Sequence, residues 1–171
     1  MNKFIVESKW TLIEVSYNQS DQVERIELVP KSSKVRGKAP VRLQGLEDQL
    51  KQHLRGEKAQ YKLNDFNLDK LGSFQRRVLE ATFQIPFSET LSYSELAEKI
   101  GSPGASRAVG TALGKNPFPL AIPCHRILKK NGELGHFSAL GGTQTKRRLL
   151  ELEKVRLTKS LPSHIGYDRN Q

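Results

Sequence analysis

The sequence predicts a mixed α/β (α+β) fold in two parts, and three observations carry that expectation. Aliphatic residues alternate along residues 1–30, as in strands. Leucines then recur at helical spacing, and from residue 69 onward short amphipathic runs are punctuated by Gly and Pro. The expected organisation is a small sheet-plus-helix unit over residues 1–68, a mostly helical unit over 69–156 and a polar tail over 157–171.

Ile13, Val15 and Tyr17 alternate, and residues 23–28 hold the aliphatics of a half-buried return strand, with Asn18-Gln19-Ser20-Asp21 as the hairpin loop. Residues 31–40 are polar and broken by Gly37 and Pro40, so they form a loop. Its basic residues, with Arg42 beyond, suit either phosphate contact or a solvated linker. Leu43, Leu46, Leu50 and Leu54 make the stripe of an amphipathic helix closed by Gly56, with His53 expected at the surface. Residues 61–71 read as an irregular connector. A helix from Ser73 buries Phe74, Val78 and Phe83 or Ile85 and stops before Pro86.

Ser92-Tyr93-Ser94-Glu95 is a capping box opening a helix to about Ile100. Gly101 ends it, Ser102-Pro103-Gly104 turns the chain, and residues 105–115 form a second helix rich in Ala and Gly. The pair fits a helix-turn-helix and also fits ordinary helix packing; Arg107 near the start of the second helix favours the first reading. Asn116 in its Pro-bounded turn acts through geometry. Asn131-Gly132 is a turn, residues 135–142 a Gly-rich loop without a phosphate-loop signature, and residues 146–154 a helix with Leu149, Leu150 and Leu152 partly buried. Glu153 sits near the end of that helix, where the dipole disfavours a carboxylate. Either a specific partner holds it there or it is exposed.

Hydrophobic residues make up 36% and charged residues 27%, which supports a packed core. No run is long enough to span a membrane, and Glu7 interrupts the apolar start, so an intracellular, reducing setting is expected. The net charge of +10 suits a polyanionic partner. Residues 99–132 contain no Asp or Glu but carry Lys99, Arg107, Lys115, Arg126, Lys129 and Lys130.

The single cysteine lies in that same stretch, in Ile122-Pro123-Cys124-His125-Arg126. One thiol excludes an intramolecular disulfide and any multi-cysteine zinc site, and leaves a choice between a buried inert thiol and a reactive one. Pro123 makes the segment rigid and non-helical. Adjacent side chains on an extended segment point apart, so His125 can serve Cys124 only through a local turn or a bridging water.

Pro123-Cys124-His125-Arg126 followed by an aliphatic residue resembles the active-site motif of the O6-alkylguanine-DNA alkyltransferases (methylated-DNA–protein-cysteine methyltransferases). Ser106-Arg107-Ala108-Val109-Gly110, Asn116-Pro117 and Leu149-Leu150-Glu151-Leu152-Glu153 fit the same family in order and spacing, over about residues 70–155.

The resemblance implies a ribonuclease H-like N-terminal unit and irreversible, single-turnover transfer of an alkyl group from O6-alkylguanine, and potentially O4-alkylthymine, in double-stranded DNA to Cys124. No cofactor and no membrane partner are expected; some members of the family bind zinc in the N-terminal unit, but that unit has no cysteine here, so no metal is expected. The expected state is a monomer able to act cooperatively on DNA, in the nucleus of a eukaryote or the cytoplasm of a prokaryote. By the same resemblance, Glu153, His125 and a water form the relay to Cys124, and Tyr93 presses on a phosphate and donates a proton to N3 of the leaving guanine. Arg107 enters the duplex as the base is extruded. The DNA surface is expected from Arg107, Tyr93, Ala108, Gly110, Lys115 and Arg126. The base pocket is expected from Ser138, Phe137, Ala139, Pro123 and Ile127, with Asn116 as hinge.

The loop Phe137-Ser138-Ala139-Leu140 before Gly141-Gly142 is two residues longer than the family's usual Tyr-Ser-Gly-Gly and lacks its phenol. The main rival reading is a non-catalytic sensor of alkylated bases, whose members replace the cysteine that this chain keeps. A cysteine hydrolase and a helix-turn-helix regulator are weaker rivals.

Overall fold

The computed structural model describes residues 1–34 and 36–157; the polar tail expected beyond residue 157 lies outside the described residues. Strands β1 (Asn2–Glu7), β2 (Leu12–Tyr17) and β3 (Val23–Val29) form an antiparallel sheet in that order. Local turn chemistry sets the register. Ser8 bonds the backbone of Thr11 in the first turn, and the Asn18 side-chain Oδ1 accepts the Ser20 and Gln22 amides in the second. Phe4 pairs with Val15, Val6 with Ile13 and Val15 with Ile26, which stacks one apolar face. The return strand β3 is half-buried as expected, whereas both faces of β2 are buried, and Lys3 neutralises its Glu14 at 2.5 Å.

Helix α1 (Gln44–Leu54) follows a short 3-10 turn at Val41–Leu43 and buries Leu46, Leu50 and Leu54 as its stripe requires. Helix α2 (Ser73–Phe83) buries Val78 and Leu79, while Phe74 and Phe83 are only partly covered. The capping box at Ser92 and Glu95 forms as expected and opens α3 (Tyr93–Lys99). A Gly-rich turn leads to α4 (Ser106–Gly114). The two-residue strand β4 (Leu91–Ser92) pairs in parallel with β5 (Ile127–Leu128), which brings the start of α3 beside the segment that follows Cys124. Helix α5 (Gly142–Leu152) closes the chain order, with Leu149 and Leu150 fully buried and Leu152 partly so.

One apolar cluster runs from Phe4 and Val15 of the sheet through Leu50, Val78 and Ile122 to Leu149. The halves are stitched by the Ile26 amide donating to the Pro117 carbonyl at 2.8 Å and by Phe66 against Phe118, with ring centroids 5.1 Å apart. No helix among the described residues is long and apolar enough to cross a membrane.

Candidate active site

The segment before Cys124 is braced from both sides. The Asn116 side chain donates to the Ile122 carbonyl and accepts the Phe118 amide, each at 2.9 Å. Between them Leu120 is held at a φ of +72°, a left-handed conformation that a leucine adopts only under such restraint. Residues Cys124–Arg126 then form a 3-10 turn. The turn overrides the extended geometry expected from Pro123 and separates the thiol from the two side chains that follow it. Cys124 faces a cavity, and His125 and Arg126 enter the interior.

The cavity measures about 650 Å³. Cys124 contributes to its lining together with Tyr93, with Arg107 and Gly110 of α4, and with Phe137 and Ser138 of the Gly-rich loop. The loop approaches Tyr93 closely at Gly135, whose φ is +69° and where a Cβ would lie 2.9 Å from the phenol oxygen. Glycine is therefore required there on both conformational and steric grounds. Arg107, Ala108 and Lys115 are exposed, Phe137 is buried and Ser138 exposed. Ala139 lies beside Ser138 along a neighbouring groove. Pro123 and Ile127, expected in the base pocket, are buried outside the cavity lining because the 3-10 turn carries them inward.

Arg126, expected on the DNA surface, is instead buried. Its Nε and Nη2 donate to Glu153 at 2.9 and 3.0 Å, its Nη1 donates to the Ile85 carbonyl at 2.6 Å, and its guanidinium lies 5.8 Å from the Phe87 ring centre. A guanidinium with its donors used in this way neutralises Glu153 and presents nothing to a phosphate.

Glu153 is the centre of the buried cluster. Its Oε1 accepts from His125 Nε2 and from His53 Nε2, each at 2.7 Å. Ser88 adds an amide to Oε2 at 3.3 Å and its hydroxyl to the Glu153 carbonyl at 2.5 Å. Burial opposes ionisation, yet the hydrogen bonds from His125 and His53 and the Arg126 guanidinium hold this carboxyl well below the usual carboxylate range. His53, Glu153 and His125 are the residue types of a metal site, but their facing atoms already share protons and Arg126 supplies the positive charge. The cluster is a hydrogen-bond network.

Since Nε2 of His125 donates to Glu153, its Nδ1 carries the lone pair in the neutral ring. That atom is buried and bonds no other protein atom among the described residues, so His125 does not contact the thiol directly. Burial lowers the His125 pKa to about 4 against the opposing pull of Glu153, and it raises that of Cys124. At neutral pH the resting pair is therefore a thiol beside a neutral imidazole.

Two residues escaped the sequence reading. His53, expected at the surface, is fully buried on α1, because it follows Leu46 by seven residues and Leu50 by three and so falls within the leucine stripe. Lys146 is also fully buried; its Nζ donates to the Ile127 carbonyl at 2.5 Å and lies 5.8 Å from the centre of the Tyr93 ring. Burial lowers its pKa to about 8, and its charge favours the Cys124 thiolate. In sequence Lys146 reads as one of three consecutive basic residues, Lys146-Arg147-Arg148, and only its place below Tyr93 distinguishes it.

Residues 73–155 match the family described as the 6-O-methylguanine DNA methyltransferase DNA-binding domain. The chain is 45% identical over 123 residues to the methylated-DNA–protein-cysteine methyltransferase of Mycobacterium tuberculosis, an alignment covering 71% of this chain and 72% of that protein. It is 39% identical over 118 residues to the protein of the same name from Methanothermobacter thermautotrophicus, covering 69% and 65%. Its fold superimposes on the crystal structure of Mycobacterium tuberculosis OGT in complex with DNA with a TM-score of 0.74 at 33% identity, over 90% of this chain and 93% of that one. With Cys124 and Arg107 lining one cavity inside the matched segment, the chain belongs to the methylated-DNA–protein-cysteine methyltransferase family.

Proposed function

We propose that the protein repairs DNA by direct reversal, moving the alkyl group of O6-alkylguanine onto Cys124 in a single, irreversible turnover. The observation that carries this reading is a lone thiol lining the same cavity as Arg107, with the next residue in the chain, His125, buried and paired with Glu153.

His125 Nδ1 takes the Cys124 proton through one water, and the imidazolium that forms is held by Glu153. The thiolate attacks the alkyl carbon, the C–O6 bond breaks with its electron pair going to the guanine, and Tyr93 donates a proton to N3 of the departing base. The Lys146 charge favours the thiolate. Arg107 fills the space left by the extruded nucleotide, Ala108 and Gly110 let α4 approach the duplex, and Lys115 meets phosphate. Asn116 acts as the hinge between α4 and the Cys124 segment. The thioether product survives thiol exchange, so each molecule reacts once, as a monomer. O4-alkylthymine fits the same chemistry.

Intact-protein mass after incubation with duplex DNA holding one O6-methylguanine tests the reading. A stoichiometric gain of one methylene that Cys124→Ser abolishes is expected. Tight lesion-selective binding with no mass gain would instead establish the non-catalytic sensor.

A further inference from the structure

Helix α1 belongs to the N-terminal half, yet its last turn reaches the chemistry. His53 is fully buried and its Nε2 donates to the same Glu153 oxygen that His125 uses, while its Nδ1 lies 3.0 Å from the Tyr61 hydroxyl. The two imidazole rings are 5.5 Å apart, both held by one carboxylate. Because Glu153 takes the Nε2 proton, Nδ1 of a neutral ring accepts the Tyr61 O–H, and the chain of donors runs Tyr61 to His53 to Glu153. The close seat of α1 is independent of these bonds. Gly56, just past the helix at a φ of +78°, lies so near the Leu152 carbonyl that a Cβ would stand 2.7 Å from it. The end of α1 is therefore docked on the residue preceding Glu153.

We infer that His53, fixed by Tyr61, is a positioning residue of the alkyl transfer: it orients Glu153 and shares its charge, and so sets the basicity of His125 toward Cys124. This assignment rests on the Glu153–His125 relay proposed above. The titratable and charged groups facing His53 are Tyr61, Glu153 and His125, with Arg126 across the carboxylate. Removing the His53 donor takes one of the two imidazole bonds from Oε1, shifts the carboxylate toward its remaining partners and concentrates its charge on His125. That strengthens the hold of His125 on a proton, so the neutral base forms only at higher pH.

The test compares His53→Leu with His53→Gln, whose side-chain amide can still donate to Glu153. The second-order rate constant is followed against pH with free O6-benzylguanine and with alkylated duplex DNA. His53→Leu should lose about tenfold or more on both substrates by the same factor, the scale of a displaced reacting group. The acid limb of its pH profile should move to higher pH, and His53→Gln should recover both properties. Wild-type behaviour in both variants, or equal losses in both with the wild-type profile, would reduce His53 to core packing and overturn the assignment. If His53→Leu does not fold, Tyr61→Phe decides: a displaced acid limb supports the assignment and an unchanged one overturns it. Glu153→Gln separates the two levels of the argument. A slow Glu153→Gln beside an unaffected His53→Leu defeats only the role of His53, whereas an unaffected Glu153→Gln defeats the relay and this inference with it.

Discussion

On its cavity side Cys124 is served by exposed residues, Arg107 on α4 and Ser138 on the Gly-rich loop, whereas on its interior side His125, Arg126, Glu153 and His53 are buried and bonded to one another. The exposed wall comes from segments near Cys124 in sequence, and among the described residues the Arg107 and Ser138 side chains hold no hydrogen bond of their own. The interior cluster draws on α1, the turn at Cys124–Arg126 and the end of α5, and its donors answer one another. A substrate surface must stay open, while a buried carboxylate is tolerable only when every oxygen is met.

That contrast can be broken most severely from the interior. Arg126→Ala should leave Glu153 buried without its guanidinium and lower unfolding stability by about 3–5 kcal/mol, read from the urea midpoint. An unchanged midpoint would mean that the histidines alone suffice. On the open side Arg107→Ala should leave the midpoint unmoved. It should slow repair of duplex DNA far more than reaction with free O6-benzylguanine, and equal losses on both substrates would contradict its role in base extrusion.

Acid sharpens the same difference. A neutral buried His125 with its pKa lowered from 6.5 to about 4 binds fewer protons than the unfolded chain between those values, so stability should fall as pH drops through that interval. Glu153, depressed from 4.5, adds its own loss as pH falls below that value. Denaturation midpoints measured from pH 7 to 4 should show this slope, and His125→Phe should flatten its upper part. The smallest effect is expected from Lys115→Ala, which should reduce the slope of log Kd against log salt by about one without changing the thiol chemistry.

Much of this was legible beforehand. The capping box at Ser92, the leucine stripe of α1 and the turn at residues 101–104 each follow from local rules, and each formed as expected. The Cys124 motif, Arg107 and Glu153 were singled out by resemblance to the family, and the structure sets Cys124 and Arg107 on one cavity with Glu153 behind His125. Arg126 and His53 were misplaced for opposite reasons. A basic residue in an acid-free stretch reads as surface, and a histidine beside a leucine stripe reads as its solvated margin, unless the partner that makes either burial affordable is known.

Sequence alone determined the class of chemistry through the resemblance of Pro123-Cys124-His125-Arg126 and its companion blocks to a known family; the thiol and its neighbours by themselves left an inert and a reactive reading open. It also determined the helices and turns, whose hydrogen bonds close within a few residues. Tertiary structure decided which face each charged group took. The placement of Glu153 depends on donors 100 residues away at His53, 27 and 28 residues away at Arg126 and His125, and 65 away at Ser88. Burying a charge is a property of the whole set of partners, and those partners meet only when the chain is folded.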